Sequence, residues 1–150
     1  MKKTGFLLII FIFTFASCKK YEDGPTISLY SKKHRIVNIW GIEQVFETAQ
    51  NGTKTDKTTA YQNYYYNYYM ALTKENDYTV AYFINSIVSY EENGTWKFNS
   101  TKTNILFTNS NSNPSSIGSD WTILKLKKDE LWMQTINGNN TIVEVHFKPR

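Results

Sequence analysis

Trp121-Thr122-Ile123-Leu124-Lys125-Leu126-Lys127, Leu131-Trp132-Met133-Gln134-Thr135 and Ile142-Val143-Glu144-Val145-His146-Phe147 follow one another near the end of the chain. Apolar and polar residues alternate along the first and last of these segments. That period of two places one set of side chains on each face of a half-buried strand. Lys128-Asp129 makes a tight turn between the first two, and Asn137-Gly138-Asn139-Asn140 turns between the last two. Strands joined to their sequence neighbours by short turns form an antiparallel meander.

Working back from this stretch, the same pattern recurs. Residues 109–119 are mostly Asn, Ser, Pro and Gly and read as a loop, with the short strand Ile105-Leu106-Phe107 before it. Asn93-Gly94 precedes Thr95-Trp96-Lys97-Phe98, and Asn76-Asp77 turns into Tyr78-Thr79-Val80-Ala81-Tyr82-Phe83. Tyr61 to Thr73 is dense in tyrosine and reads as one long strand. Asn51-Gly52 marks a hairpin after Trp40–Phe46, where Trp40, Ile42, Gln44 and Phe46 share one face and Glu43 and Glu47 the other. The total is about eight strands, so the chain is all-β, an antiparallel up-and-down barrel. Thr26 to Asn38 holds one short N-terminal helix, with Ile27, Leu29, Tyr30, Ile36 and Val37 as its apolar set.

The N-terminus reads as an address. Lys2 and Lys3 precede an apolar run from Gly5 to Phe15. At 1.5 Å per residue that run spans about 17 Å, too short for a hydrocarbon core of about 30 Å, so it is a signal peptide. Phe15-Ala16-Ser17-Cys18 resembles a bacterial lipobox. The resemblance implies that the Cys18 thiol is alkylated by a diacylglyceryl group and that the chain is cut just before it. Membrane lipid is then the first expected partner, held through acyl chains that each add about 0.8 kcal/mol per buried methylene. The boundaries follow: 1–17 signal peptide, 18–26 lipidated cysteine and tether, 27–150 barrel domain. Lys19, rather than Asp, follows the cysteine. By resemblance to the sorting rule of enteric bacteria, this implies the outer membrane. Glu22-Asp23 is an acidic pair that resembles a surface-export signal and reads equally as a solvated linker.

A short helix, a Trp opening the first strand and an eight-stranded meander together resemble the lipocalin-like lipoproteins of Bacteroidetes. The resemblance is carried by Asn38-Ile39-Trp40, by Glu92-Asn93-Gly94-Thr95-Trp96-Lys97-Phe98, and by Leu124-Lys125-Leu126-Lys127-Lys128-Asp129-Glu130-Leu131-Trp132. It implies a lipocalin-like barrel in which Trp40 plugs the closed end. The Asn-, Lys-, Ile- and Tyr-rich composition resembles that phylum as well.

Composition excludes several classes. Hydrophobic residues make up 41% and aromatics 16%, with 7 Gly and 3 Pro, which excludes a disordered or collagenous chain. One Cys and two His give no basis for a disulfide framework or a metal site. Net charge is +4, and two of those charges, Lys2 and Lys3, leave with the signal peptide, so nucleic acid is not an expected partner. The basic groups Lys32-Lys33-His34-Arg35 and Lys125, Lys127 and Lys128 read as solvated faces or contacts to anionic lipid or polysaccharide. No Gly-x-Ser-x-Gly elbow, phosphate loop or calcium loop appears. His34 and His146 read as surface residues, and Glu91-Glu92 and Asp129-Glu130 as solvated charges beside turns. The chain is therefore expected to be a monomer without catalytic residues or cofactor.

An eight-stranded barrel has room inside for side chains or one small ligand. If it is open, the expected ligand is small and apolar or amphipathic, lined by Trp40, Ile42, Gln44, Tyr66, Tyr68 and Tyr82 on alternation. If it is filled, the protein is an envelope interaction module whose Tyr-rich face docks a protein or glycan. An unrecognised hydrolase is a third, weaker reading. The tyrosines leave one question open. Tyr64, Tyr66 and Tyr68 share a face with Met70 and Leu72, and Tyr61, Tyr65 and Tyr69 share the other, so either one set is wet or the strand bulges.

Overall fold

A computed structural model describes residues 29–110 and 118–150. The signal peptide, Cys18, the whole tether, residues 27 and 28, and residues 111–117 of the Asn- and Ser-rich loop lie outside the described residues. Two helices and nine strands occur among the described residues: α1 (Lys32–Ile36), β1 (Asn38–Thr48), β2 (Lys54–Asp56), α2 (Thr58–Tyr64), β3 (Tyr65–Leu72), β4 (Asp77–Ile84), β5 (Val88–Phe98), β6 (Asn104–Asn109), β7 (Asp120–Leu126), β8 (Leu131–Ile136) and β9 (Ile142–Pro149). Every pairing is antiparallel and, from β3 onward, joins sequence neighbours. β1 pairs with β9 from Trp40↔Pro149 to Thr48↔Ile142 and with β3 from Asn38↔Leu72 to Trp40↔Met70. The eight strands β1 and β3–β9 therefore close into an up-and-down barrel, with β2 as a short ribbon on the far end of β1.

Helix α1 covers one end. Its N-terminus is capped by Ser31, whose hydroxyl accepts from the His34 amide at 3.0 Å. Just behind it Trp40 is fully buried, and its indole Nε1 donates to the Ile36 carbonyl at 2.9 Å. Met70, Tyr78, Trp96, Ile105, Leu126 and Leu131 fill the same half of the barrel. The opposite end carries the β1–β2 turn, α2, the β4–β5 turn, the β6–β7 connection and the β8–β9 turn, and among the described residues no side chain plugs it as Trp40 does the first. Arg35, read as part of a solvated basic run, is instead buried beside this closed end.

Three irregularities change which side chains face inward. The β1–β9 register shifts between Ile42 and Gln44, so Trp40, Ile42, Val45 and Glu47 point inward and Gln44 and Phe46 point outward. The expected inward set Trp40, Ile42, Gln44 and Phe46 is corrected by that one extra residue. The β3–β4 register shifts between Tyr66 and Tyr69, around Asn67 in the left-handed region at φ 60°. Asn tolerates that conformation because its short amide bonds locally. Arg150 holds it, donating to the Asn67 carbonyl at 2.9 Å and to its Oδ1 at 2.7 Å. The strand therefore bulges, and Tyr65 and Tyr68 both face inward while Tyr66 is 50% exposed. A third shift lies between Ile123 and Lys125.

The expected long strand from Tyr61 is also corrected. Residues 58–64 are helical, and an Asx turn leads into them, in which Asp56 Oδ1 accepts from the Thr58 amide at 2.8 Å. Asn93-Gly94 does not turn either. Both residues lie inside β5, where Asn93 pairs with Thr79 and Gly94 with Tyr78.

Candidate functional site

The open half of the barrel encloses a cavity of about 410 Å³. Its walls include Ile42, Tyr65, Tyr68, Tyr82, Trp121 and Phe147. Strand alternation supplies most of them: Tyr82 from β4, Trp121 from β7, and Val143, Val145 and Phe147 from β9. Tyr65 and Tyr68 face it because of the Asn67 bulge. The rings pack as a layer, with Tyr65 edge-on to Tyr82 at 5.0 Å between centroids and Tyr82 stacked on Tyr90 at 4.8 Å. Such pairs contribute about 0.5–1.5 kcal/mol each beyond burial.

Three phenols at the cavity, Tyr61, Tyr65 and Tyr68, hold their protons more tightly than a free tyrosine. Burial, then the hydrogen bond to Glu47, pushes the Tyr61 hydroxyl far above its ordinary value. Burial raises Tyr65 and Tyr68 as well, and for Tyr68 the neighbouring Tyr82, Tyr65 and Glu92 add to it. The site is thus an apolar chamber with uncharged hydroxyls in its wall, which suits orientation of a ligand more than proton transfer at neutral pH.

Of the six residues expected to line a ligand, Ile42, Tyr68 and Tyr82 meet at this cavity. Trp40 lies at the closed end, away from it. Gln44 points outward and bonds His146 Nδ1 at 3.1 Å, and Tyr66 lies on the outer wall. Reading by alternation missed Tyr61, Tyr65 and Trp121. The Asn in a run of tyrosines was the available signal for Tyr65.

One pair was misread more seriously. Glu92 is not a solvated charge: it is 3% exposed, inside the barrel, one inward position deeper on β5 than Tyr90. It accepts hydrogen bonds from the Tyr78 hydroxyl at 2.5 Å and the Tyr90 hydroxyl at 2.9 Å. Its neighbour Glu91 stays exposed. His146 is likewise corrected. It faces outward from β9 yet is only 7% exposed, because Trp132 stacks on it at 3.9 Å between centroids. Glu144 Oε1 takes its Nε2 at 2.6 Å. Lys125 caps the other side of Trp132, 3.8 Å above the ring. Glu130 bridges Lys125 at 2.8 Å and Lys127 at 2.6 Å. These groups engage one another on the outer wall. Among the described residues, no three His, Cys, Asp or Glu side chains are placed to hold a metal ion.

The barrel wall is thinly laddered between β1 and β3, as it is between β6 and β7, where the ladder also has three pairs. The β1–β3 ladder runs only from Asn38 to Trp40. Further up, α2 lies against β1: the Lys57 amide donates to the Val45 carbonyl at 2.8 Å, and Thr58 Oγ1 accepts from the Val45 amide at 3.0 Å. Gln62 Nε2 reaches the Ile42 and Glu43 carbonyls at 3.4 and 3.3 Å. Outside this seam is a groove of about 410 Å³ whose lining includes Gly41, Gln62, Asn63, Tyr66, Lys148 and Arg150. Ile42, Tyr65 and Tyr68 line both this groove and the interior cavity.

No family model and no curated protein matches the chain. Solved structures do. A lipocalin-like protein from Bacteroides uniformis superposes with a TM-score of 0.51 at 9% identity, over 77% of this chain and 99% of that one. A DUF4847 family protein from Bacteroides vulgatus gives 0.49 at 10% identity, over 79% and 96%. Japanin from Rhipicephalus appendiculatus, bound to cholesterol, gives 0.48 at 8% identity, over 79% of each chain. The first of these likenesses establishes a lipocalin-like fold for this chain, and nothing finer.

Proposed function

We propose that this chain is a lipid-anchored, non-enzymatic protein of the cell envelope, and that its barrel holds a small apolar or amphipathic molecule. The observation that carries the reading is the cavity of about 410 Å³ in the open half of a closed lipocalin-like barrel. That volume lies within the range of about 300–1,000 Å³ found for small-molecule sites. Binding would draw on apolar area removed from water, at about 25 cal/mol per Å², and on one or two tyrosine hydroxyls for orientation. Native purification from the envelope followed by mass spectrometry tests it. A small amphiphile co-eluting in near-equal amount is the expected result. A bare protein that recurs with a protein partner overturns the reading.

Support for the anchor comes from the sequence: a short apolar run, small residues and the single cysteine at position 18. The outer membrane is the proposed location, on Lys19. A Cys18→Ser variant is expected to move from the membrane to the soluble fraction. Equal retention in the membrane would remove the anchor. The docking reading draws on the outer wall, where Tyr64, Tyr66 and Phe83 are exposed near the open end.

A further inference from the structure

We propose that the outer groove and the interior cavity are two halves of one site running through the barrel wall at the β1–β3 seam. The interior half takes the tail of a single-chain amphiphile, and the groove takes an uncharged, hydroxyl-bearing head. This rests on the ligand-holding reading and adds to it a route and a head-group chemistry.

The wall at this point is one side chain thick. Ile42, Tyr65 and Tyr68 face the cavity on one side and the groove on the other. No ladder between β1 and β3 ties the strands together beyond Trp40 and Met70. The Asn67 bulge and the Glu43 bulge disturb both strands at this height. Gly41 contributes no side chain to the gap, and the bonds that Gln62 lays across it are long. Rotation of a tyrosine and release of Gln62 would open the partition without breaking a strand pair.

The two halves differ in polarity as the two ends of an amphiphile do. The interior wall is aromatic and aliphatic. The groove is lined by the amides of Gln62, Asn63 and Asn67 and by the half-exposed Tyr66. An amide offers both a donor and an acceptor, which is what a hydroxyl requires. The groove's cations are already engaged. Lys148 faces Glu43 at 3.6 Å, and Arg150 donates two of its N–H groups to the Asn67 carbonyl and Oδ1. An anionic head would compete with Glu43 for Lys148, whereas a glycosyl or glycerol head can bond the amides and leave that pair in place.

The test measures binding of n-octyl β-D-glucoside, 1-octanol and octanoate to the full-length protein by calorimetry, below micelle-forming concentrations. The glucoside is expected to bind about five-fold more tightly than octanol, the size of one net hydrogen bond. Two variants remove the head site by different means. In Gly41→Phe a ring covers the groove, and the site has room for its Cβ, which would lie 3.9 Å from the Arg150 Cβ and 4.0 Å from the Tyr68 carbonyl. In Asn63→Ala only an exposed amide on α2 is lost. Both are expected to abolish the preference, bringing glucoside affinity down to that of octanol. Equal affinity for glucoside and octanol in the parent protein, a preference that survives both variants, or tightest binding of octanoate would each overturn the through-wall site while the ligand-holding reading stands. If no probe binds, that reading fails too.

Discussion

Gly94 sits where no other residue fits. A Cβ there would lie 2.1 Å from the Thr108 carbonyl oxygen and 2.7 Å from the Tyr78 ring. The first contact is backbone and cannot swing aside. The second is the ring that must cross β5 for its hydroxyl to reach Glu92. Gly94→Ala is therefore expected to destabilise the protein by on the order of 3 kcal/mol, as in severe overpacking, measured by urea denaturation. A cost below about 0.5 kcal/mol, the range of ordinary surface changes, would contradict this account. The dipeptide Asn93-Gly94 reads as a turn because Asn-Gly is the strongest hairpin signal in a sequence. Here glycine is needed for close packing instead, and the pattern cannot distinguish the two uses. The same misreading made Glu92 a turn charge, although strict alternation from Tyr90 to Phe98 places it inside.

At the scale of elements, the strands β4, β8 and β9 were legible, with the turns at Asn76-Asp77, Lys128-Asp129 and Asn137-Gly138, while β5 was legible only from Thr95 onward. What alternation cannot show is a change of phase. One extra residue at Glu43, Asn67 or Leu124 reverses every inward assignment beyond it. Gln44 and Tyr66 were lost to the site this way, Tyr65 was gained, and Val45 turned into the core. Helix α2 was hidden because its tyrosines favour strands and the turn leading into it is made at Asp56, a residue in a polar stretch that reads only as loop. The seam beneath α2 has a measurable signature. In native-state hydrogen exchange, those amides of Gly41–Gln44 and Tyr65–Asn67 that are directed at the seam are expected to exchange well before those of β4 and β5, whose ladder is continuous from Asp77↔Thr95 to Ile84↔Val88. Equal protection of the two regions would argue against a weak wall.

At the scale of the whole molecule, two carboxylates on the outer wall set the response to acid. Hydrogen bonds from Lys125 and Lys127 hold Glu130 below its ordinary value of 4.5. For Glu144 burial acts upward, but the bonds from Lys54 and His146 outweigh it and the net shift is also downward. Each group binds its proton more weakly folded than unfolded. Its stabilisation is present above pH 4.5 and is lost as the pH falls through the folded value. The melting temperature is expected to hold at neutral pH and to fall below about pH 4.5. In a Glu130→Gln, Glu144→Gln double variant it should start lower and fall less. A double variant that tracks its parent across the whole range would dismiss both pairs as contributors.

The barrel is completed by β1 lying along β9, from Trp40↔Pro149 to Thr48↔Ile142. These are the first and last strands of the fold, so during synthesis β1 waits for nearly the entire chain before its longest partner exists. Until then it and β8 are unfinished borders, each ready to recruit a neighbouring molecule. Even a short C-terminal truncation that removes β9 would therefore yield a sticky open sheet in place of a smaller barrel, and quality control would meet it as an aggregate.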